Sequence, residues 1–134
     1  MINTMYKILD NLATHGIGEP VYPLEIYVDS EIGKIEGFTI VDVRMLNDVQ
    51  GNSEYDYKVN IARVTSYLDC GVPVVICSAT GQSRSNAIAL AVLVKYFKMN
   101  FYDAWELVKE KVPICNIDRS HIAVFKKMFK VKLQ

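Results

Sequence analysis

The 134-residue chain has no surplus of charge of either sign: fifteen basic residues offset fifteen acidic ones. Nothing in that balance advertises a nucleic-acid partner, and none is expected. Cysteine is scarce. Cys70, Cys77 and Cys115 are odd in number, widely spaced and without a C-x-x-C pair, which excludes a disulfide framework and a zinc pattern and fits a reducing compartment. Long apolar runs are also missing. The longest, Ala87 to Val94, is less than half of the ~20 residues that a membrane helix needs. The N-terminal MINTMYKILDNL lacks a basic stretch followed by an apolar one, so no secretory signal is evident. There is no repeat, low-complexity segment or linker. These absences predict one soluble, cytoplasmic domain over residues 1–134, with no membrane partner, metal or cofactor.

What is present is an ordinary globular composition, 51% hydrophobic and 22% charged. The charge is uneven along the chain. Residues 1–67 hold ten acids and five bases, and residues 68–134 the reverse. Part of the basic excess is Lys126, Lys127, Lys130 and Lys132, which reads as the solvated face of a last helix.

Ile2, Met5, Ile8, Leu9 and Leu12 recur at helical spacing, which predicts a helix over residues 3–13 that ends before His15-Gly16. Leu24, Ile26 and Val28 alternate with polar residues as in a strand, and Ser30 to Glu36 reads as a short helix. Phe38–Arg44 is a β-branched, buried strand, followed by a loop from Met45 to Asn52. Ser53 and Asp56 form a capping-box pattern opening a helix to Cys70, stopped by Gly71. Val72–Cys77 is a short continuous apolar run, the pattern of a central parallel strand. Helices follow at about 85–99, 101–111 and 119–130. Strands alternating with helices predict an α/β fold, a central mostly parallel sheet flanked on both faces.

The chemistry concentrates in Val74–Ala91, VVICSATGQSRSNAIALA. A buried strand enters a loop of small residues, which enters a helix directly. Such a loop lets successive backbone N–H groups converge on one point with a helix N-terminus behind them. Gly81 can take a positive φ, Ala79 and Thr80 permit close approach, and the Arg84 fork can grip two phosphate oxygens. These features point to an oxyanion site for phosphate. It is not a Walker loop, since no G-x-x-x-x-G-K-[ST] occurs and no lysine lies between Lys58 and Lys95.

The segment resembles the phosphate-binding loop of the cysteine-dependent protein phosphatases, H-C-x-x-G-x-S-R-S in the dual-specificity branch. Gly81, Ser83, Arg84 and Ser85 match at the family's spacing. The resemblance places the nucleophile on Ser78 and the preceding histidine on Cys77. It makes Ala79, Thr80, Gly81, Gln82, Ser83 and Arg84 the substrate-binding loop, with Gln82 at the rim. Asp48, thirty positions before Ser78 on a loop between strand and helix, matches the family's general acid, with Asp42 the lesser candidate. Asn116, after Cys115 where the family usually has proline, matches the asparagine whose side chain braces the loop. The likeness covers roughly residues 38–130.

What the resemblance implies is hydrolysis of phosphomonoesters on proteins through a phosphocysteine intermediate. The substrate is phosphotyrosine, with phosphoserine or phosphothreonine also admitted by a shallow site. Ser85 then stabilises the departing sulfur. Serine at position 78 breaks the first step, because its hydroxyl is far less acidic than a thiol at a helix N-terminus. Two readings follow, a Cys-to-Ser substrate trap or a natural pseudophosphatase that binds phosphoproteins without turnover. Of the two histidines, His15 reads as an exposed helix end, and His121 as a residue of the last helix without a catalytic role.

Overall fold

In the computed structural model, residues 5–18 and 37–132 are described. The strand expected at Leu24–Val28 and the helix expected at Ser30–Glu36 lie outside them. The described strands are β1 (Met5–Leu9), β2 (Leu12–Gly16), β3 (Thr39–Asp42) and β4 (Val74–Ser78). They form one sheet in the order β1-β2-β4-β3. The apolar run predicted to be central is central: β4 is buried at all five positions, between parallel β2 and β3. Its register sets Leu12 and Thr39 beside Val74, and Gly16 beside Ser78.

The helix predicted over residues 3–13 is instead an antiparallel hairpin, pairing Met5 with His15 and Leu9 with Leu12. The turn is Asp10-Asn11, two residues that favour reversal of the chain. Helical spacing of five apolar residues yields here to pairing. As a strand, β2 buries Leu12, Ala13 and Thr14 completely beside β4, which a lone surface helix could not do.

The described helices are α1 (Glu54–Asp69), α2 (Arg84–Lys95), α3 (Phe101–Lys111) and α4 (Arg119–Met128). The capping box of α1 forms as read: the Asp56 N–H donates to Ser53 Oγ at 3.2 Å, and the Ser53 N–H to Asp56 Oδ2 at 2.8 Å. Gly71, at φ +74, ends the helix, its N–H donating to Leu68 O at 2.9 Å. Helix α2 stops at Lys95, four residues short of expectation. Lys98 takes a left-handed conformation (φ 61), and Asn100 caps α3 through the Tyr102 and Asp103 N–H groups.

Helix α2 is buried at every position from Arg84 to Leu93, so it runs through the core. All four helices join one apolar cluster with Leu12, Val41, Val74 and Ile76 on one face of the sheet. The opposite face buries Ala13, Val75 and Cys77, and no described helix residue joins that smaller cluster. The expected two-sided helical cover is thus observed on one side among the described residues. No helix among them is long and apolar enough to cross a membrane.

Candidate functional site

Because β4 is flanked on both sides, the loop leaving its C-terminal end is held from both sides. Cys77 O accepts from the Val43 N–H at 2.8 Å, Ser78 O from Ile17 at 2.9 Å and Ala79 O from Gly18 at 2.8 Å. Gly81 O and Gln82 O both accept from the Asn86 side-chain amide at 2.9 Å. Gln82 O also accepts the Asn116 backbone N–H at 2.9 Å. The carbonyls of Ser78, Ala79, Gly81 and Gln82 are thereby occupied. Among the described residues no acceptor meets the backbone N–H groups of Ala79, Thr80, Gly81 or Ser83. Those donors, with the open first turn of α2 behind them, make an arrangement that can receive an anion.

Two glycines allow this geometry. Gly81 sits at φ +76, and a Cβ there would lie 2.8 Å from Gly16 N. A Cβ on Gly16 would lie 2.5 Å from the Thr80 carbonyl carbon and oxygen. The end of β2 and the loop approach as bare backbone. Gly16 was not singled out in the sequence, because nothing local marks Thr80, 64 positions away, as its neighbour.

Ser78 closes the strand, 1% exposed, and its hydroxyl donates to Ser85 Oγ at 2.9 Å. Arg84 is 8% exposed. Its Nη1 donates to Arg44 O at 2.8 Å and Leu46 O at 3.3 Å, which aims the guanidinium across the loop toward the segment after β3. Nε lies 3.3 Å from Asp48 Oδ1, an ion-pair contact without hydrogen-bond alignment, so the Nε–H has no hydrogen-bond partner among the described residues. A buried N–H of this kind carries a desolvation cost that an anion in the loop would relieve. Ser78, Arg84, Ser85 and Asp48 are therefore brought together. A shallow depression of about 190 Å³ beside them is lined by Asp48, Val49, Thr80, Gln82, Asn116 and Asp118. Thr80 and Gln82 are exposed at its rim.

Three expectations change. Asn116 ties the loop through its backbone N–H, while the side-chain brace comes from Asn86. That residue is fully buried, and its Oδ1 also accepts the Thr14 hydroxyl at 2.9 Å. The SRSN run places a polar residue in an otherwise apolar helix, and that was the available signal. His121 is not incidental either: it is fully buried, with Nε2 3.0 Å from Asp48 O and Nδ1 2.6 Å from the Tyr57 hydroxyl. Burial pushes its pKa below the ordinary 6.5. His15, expected as an exposed helix end, is a half-buried residue of β2, and burial lowers its pKa also.

Cys77 belongs to the strand, as the apolar run from Val72 predicts. Burial and then the nearby Asp42 push its thiol up to about 12, so it is protonated and inert near neutrality. Asp42 is committed elsewhere. Its carboxylate accepts from Arg44 Nε and Nη2 at 3.0–3.1 Å, and Arg44 Nη1 donates to Gly18 O at 3.1 Å. The buried pair braces the chain after β2, whereas the Asp48 carboxylate is exposed and lies beside Arg84. No group of three or more metal-ligating side chains occurs among the described residues.

No protein-family model matches the sequence, and no curated protein matches it significantly. Solved structures do match the fold. Human DUSP28, in a single-substitution form, superposes with a TM-score of 0.75 at 15% identity, over 94% of each chain. The human tyrosine phosphatase-like serine/threonine/tyrosine-interacting protein gives 0.65 at 15% identity, over 94% of this chain and 95% of that one. A mouse dual specificity phosphatase described as putative, complexed with zinc tungstate, gives 0.64 at 14% identity, over 97% and 93%. The chain has the fold of the dual-specificity phosphatases.

Proposed function

We propose that the chain is a dual-specificity-type phosphatase domain that holds a phosphorylated protein side chain in the loop from Ser78 to Arg84. Serine at the nucleophile position leaves it nearly without turnover. The observation that carries this reading is the loop itself. Most of its carbonyls have donors, the N–H groups of Ala79, Thr80, Gly81 and Ser83 meet no acceptor among the described residues, and Ser78 donates to Ser85, the neighbour of Arg84. The tungstate complexed with the mouse neighbour is a tetrahedral oxyanion of the same class as phosphate.

With a thiolate at position 78, sulfur attacks phosphorus in line and the bond to the leaving oxygen breaks. Asp48 gives that oxygen a proton. The loop N–H groups and Arg84 meet the charge on the three equatorial oxygens. Water then attacks phosphorus, the S–P bond breaks, Asp48 takes the proton from water, and Ser85 donates to the departing sulfur. No step needs a metal. With serine, the first step lacks an ionised nucleophile, because Ser78 donates its proton only to another hydroxyl. A phosphomonoester is bound and persists.

Phosphotyrosine enters the shallow site, and phosphoserine or phosphothreonine can reach its floor. Three free cysteines support a reducing, cytoplasmic setting. Cys77 favours the second reading, a natural pseudophosphatase. It supplies none of the ring N–H groups that a histidine there would use to orient the loop, and its thiol is locked in the strand. The human neighbour named as phosphatase-like and as an interacting protein belongs to the same class of reading.

Changing Ser78→Cys decides between them. Vanadate-sensitive, metal-independent hydrolysis of an aryl phosphate is expected, since this reading leaves serine as the one missing chemical element. Binding of a phosphotyrosine peptide without turnover across roughly pH 5–8 would establish the pseudophosphatase reading. Failure of the parent chain to bind phosphate or tungstate at all would overturn both.

A further inference from the structure

The segment bearing Asp48 has no regular structure and is exposed, yet three successive carbonyls in it meet a side chain. Asn47 O accepts from Asn52 Nδ2 at 2.8 Å, and Asn52 Oδ1 accepts the Asn47 N–H at 2.8 Å. Asp48 O meets His121 Nε2 at 3.0 Å. Val49 O meets the Ser120 hydroxyl, whose one proton is shared with the Asp118 carboxylate. A loop tied at three consecutive peptides, once within itself through Asn52 and twice from α4, is held in place.

The tautomer at the middle tie follows from the partners. A carbonyl only accepts, so Nε2 of His121 carries the proton. A neutral imidazole has one N–H, so Nδ1 accepts, and the Tyr57 hydroxyl 2.6 Å away donates to it. Tyr57 in turn accepts an Asn52 N–H at 3.3 Å. Donation therefore runs one way, Asn52 to Tyr57 to His121 to Asp48. The Tyr57 and His121 rings, both buried, stand edge to face with centroids 5.7 Å apart.

We propose that His121 is a positioning residue for Asp48: as the Nε2–H tautomer set by Tyr57, it fixes the peptide from which the Asp48 carboxylate reaches Arg84. The consequence for catalysis rests on the acid role given to Asp48 above, whereas the positioning itself does not. His121 touches no substrate and acts only through the main chain.

The test uses two readouts. In the chain as it stands, hydrogen exchange at Asn47, Asp48 and Val49 should quicken about tenfold or more in His121→Phe, which keeps a ring and loses the donor, as local opening becomes easier. His121→Gln, which keeps an N–H, should retain most of the protection. Protection of β4 and affinity for inorganic phosphate should stay unchanged in both. In a Ser78→Cys background, His121→Phe should lower kcat for aryl phosphates with poor leaving groups about tenfold, a fraction of the ~10²–10⁴ that a general acid supplies. KM and the rate on good leaving groups should hold, and Asp48→Asn added on top should cost no more than Asp48→Asn alone.

Unchanged exchange at residues 47–49 overturns the proposal whether or not the Ser78→Cys form turns over. Equal losses on good and poor leaving groups, or strict additivity with Asp48→Asn, overturn its catalytic consequence. Should His121→Phe not fold, Tyr57→Phe, which removes the donor that sets the tautomer, carries the same exchange test. Loss of phosphate binding in every form, with the exchange pattern intact, strikes the proposed function and not the positioning.

Discussion

Gly16→Ala isolates the contribution of the β2–loop approach. The backbone at Gly16 is not in the left-handed region, so alanine brings a steric effect alone. Its Cβ would lie 2.5 Å from Thr80 C and O and 2.9 Å from Gly81 N, whereas heavy atoms in ordinary contact stand ~3.5–4.0 Å apart. All three opposing atoms are backbone, so no side chain can swing aside and the loop must move by about 1 Å. Overpacking of this kind costs ~1–3 kcal/mol. The same movement misaligns the N–H groups proposed to bind the anion, and a charge-assisted hydrogen bond is worth ~1.5–3 kcal/mol. Affinity for phosphate or tungstate should fall about tenfold to a hundredfold.

Urea unfolding measures the first effect and titration calorimetry the second. Gly71→Ala is the control. Gly71 has φ +74 and nothing within 4 Å of its missing Cβ, so alanine there should cost ~1–2 kcal/mol of backbone strain and leave phosphate affinity alone. A Gly16→Ala protein that binds phosphate as tightly as its parent would refute the argument that this approach shapes the site.

Three further outcomes are expected. In a Ser78→Cys background, Asp48→Asn should slow poor leaving groups by ~10²–10⁴ and good ones far less, because only the former need a proton; equal small losses would move the acid role to another carboxylate. Asn86→Ala should destabilise the domain by ~1–3 kcal/mol, since the Thr14 hydroxyl and two loop carbonyls lose their partner, and should weaken phosphate binding in the same titration. For pH, His121 has a folded-state pKa below its ordinary 6.5. As pH falls below about 6.5 the unfolded chain takes up the proton before the folded one, so stability present above that pH is lost progressively toward the folded pKa. Urea midpoints at pH 7.5 and 5.5 should differ in that direction, and less so in His121→Gln; His15 contributes with the same sign.

The strand–loop–helix from Val74 to Lys95 was legible because it is local. An apolar run, small residues, one glycine and an arginine succeed one another, and each property acts on its own stretch of backbone. The capping box at Ser53 and the stop at Gly71 were legible for the same reason. The hairpin at residues 5–16 was not, although Asp10-Asn11 marked its turn. Its apolar residues suit a helix or a strand, and the choice fell to β4, which β2 pairs with and which lies sixty residues away. The brace by Asn86 depends on Thr14, 72 positions distant, and the hold of His121 on Asp48 spans 73. Gly16 matters only because Thr80 stands against it. Residue type and short-range spacing therefore determined which groups could bind phosphate. Only the order of strands in the sheet decided which distant backbone atoms came close enough to hold those groups in place.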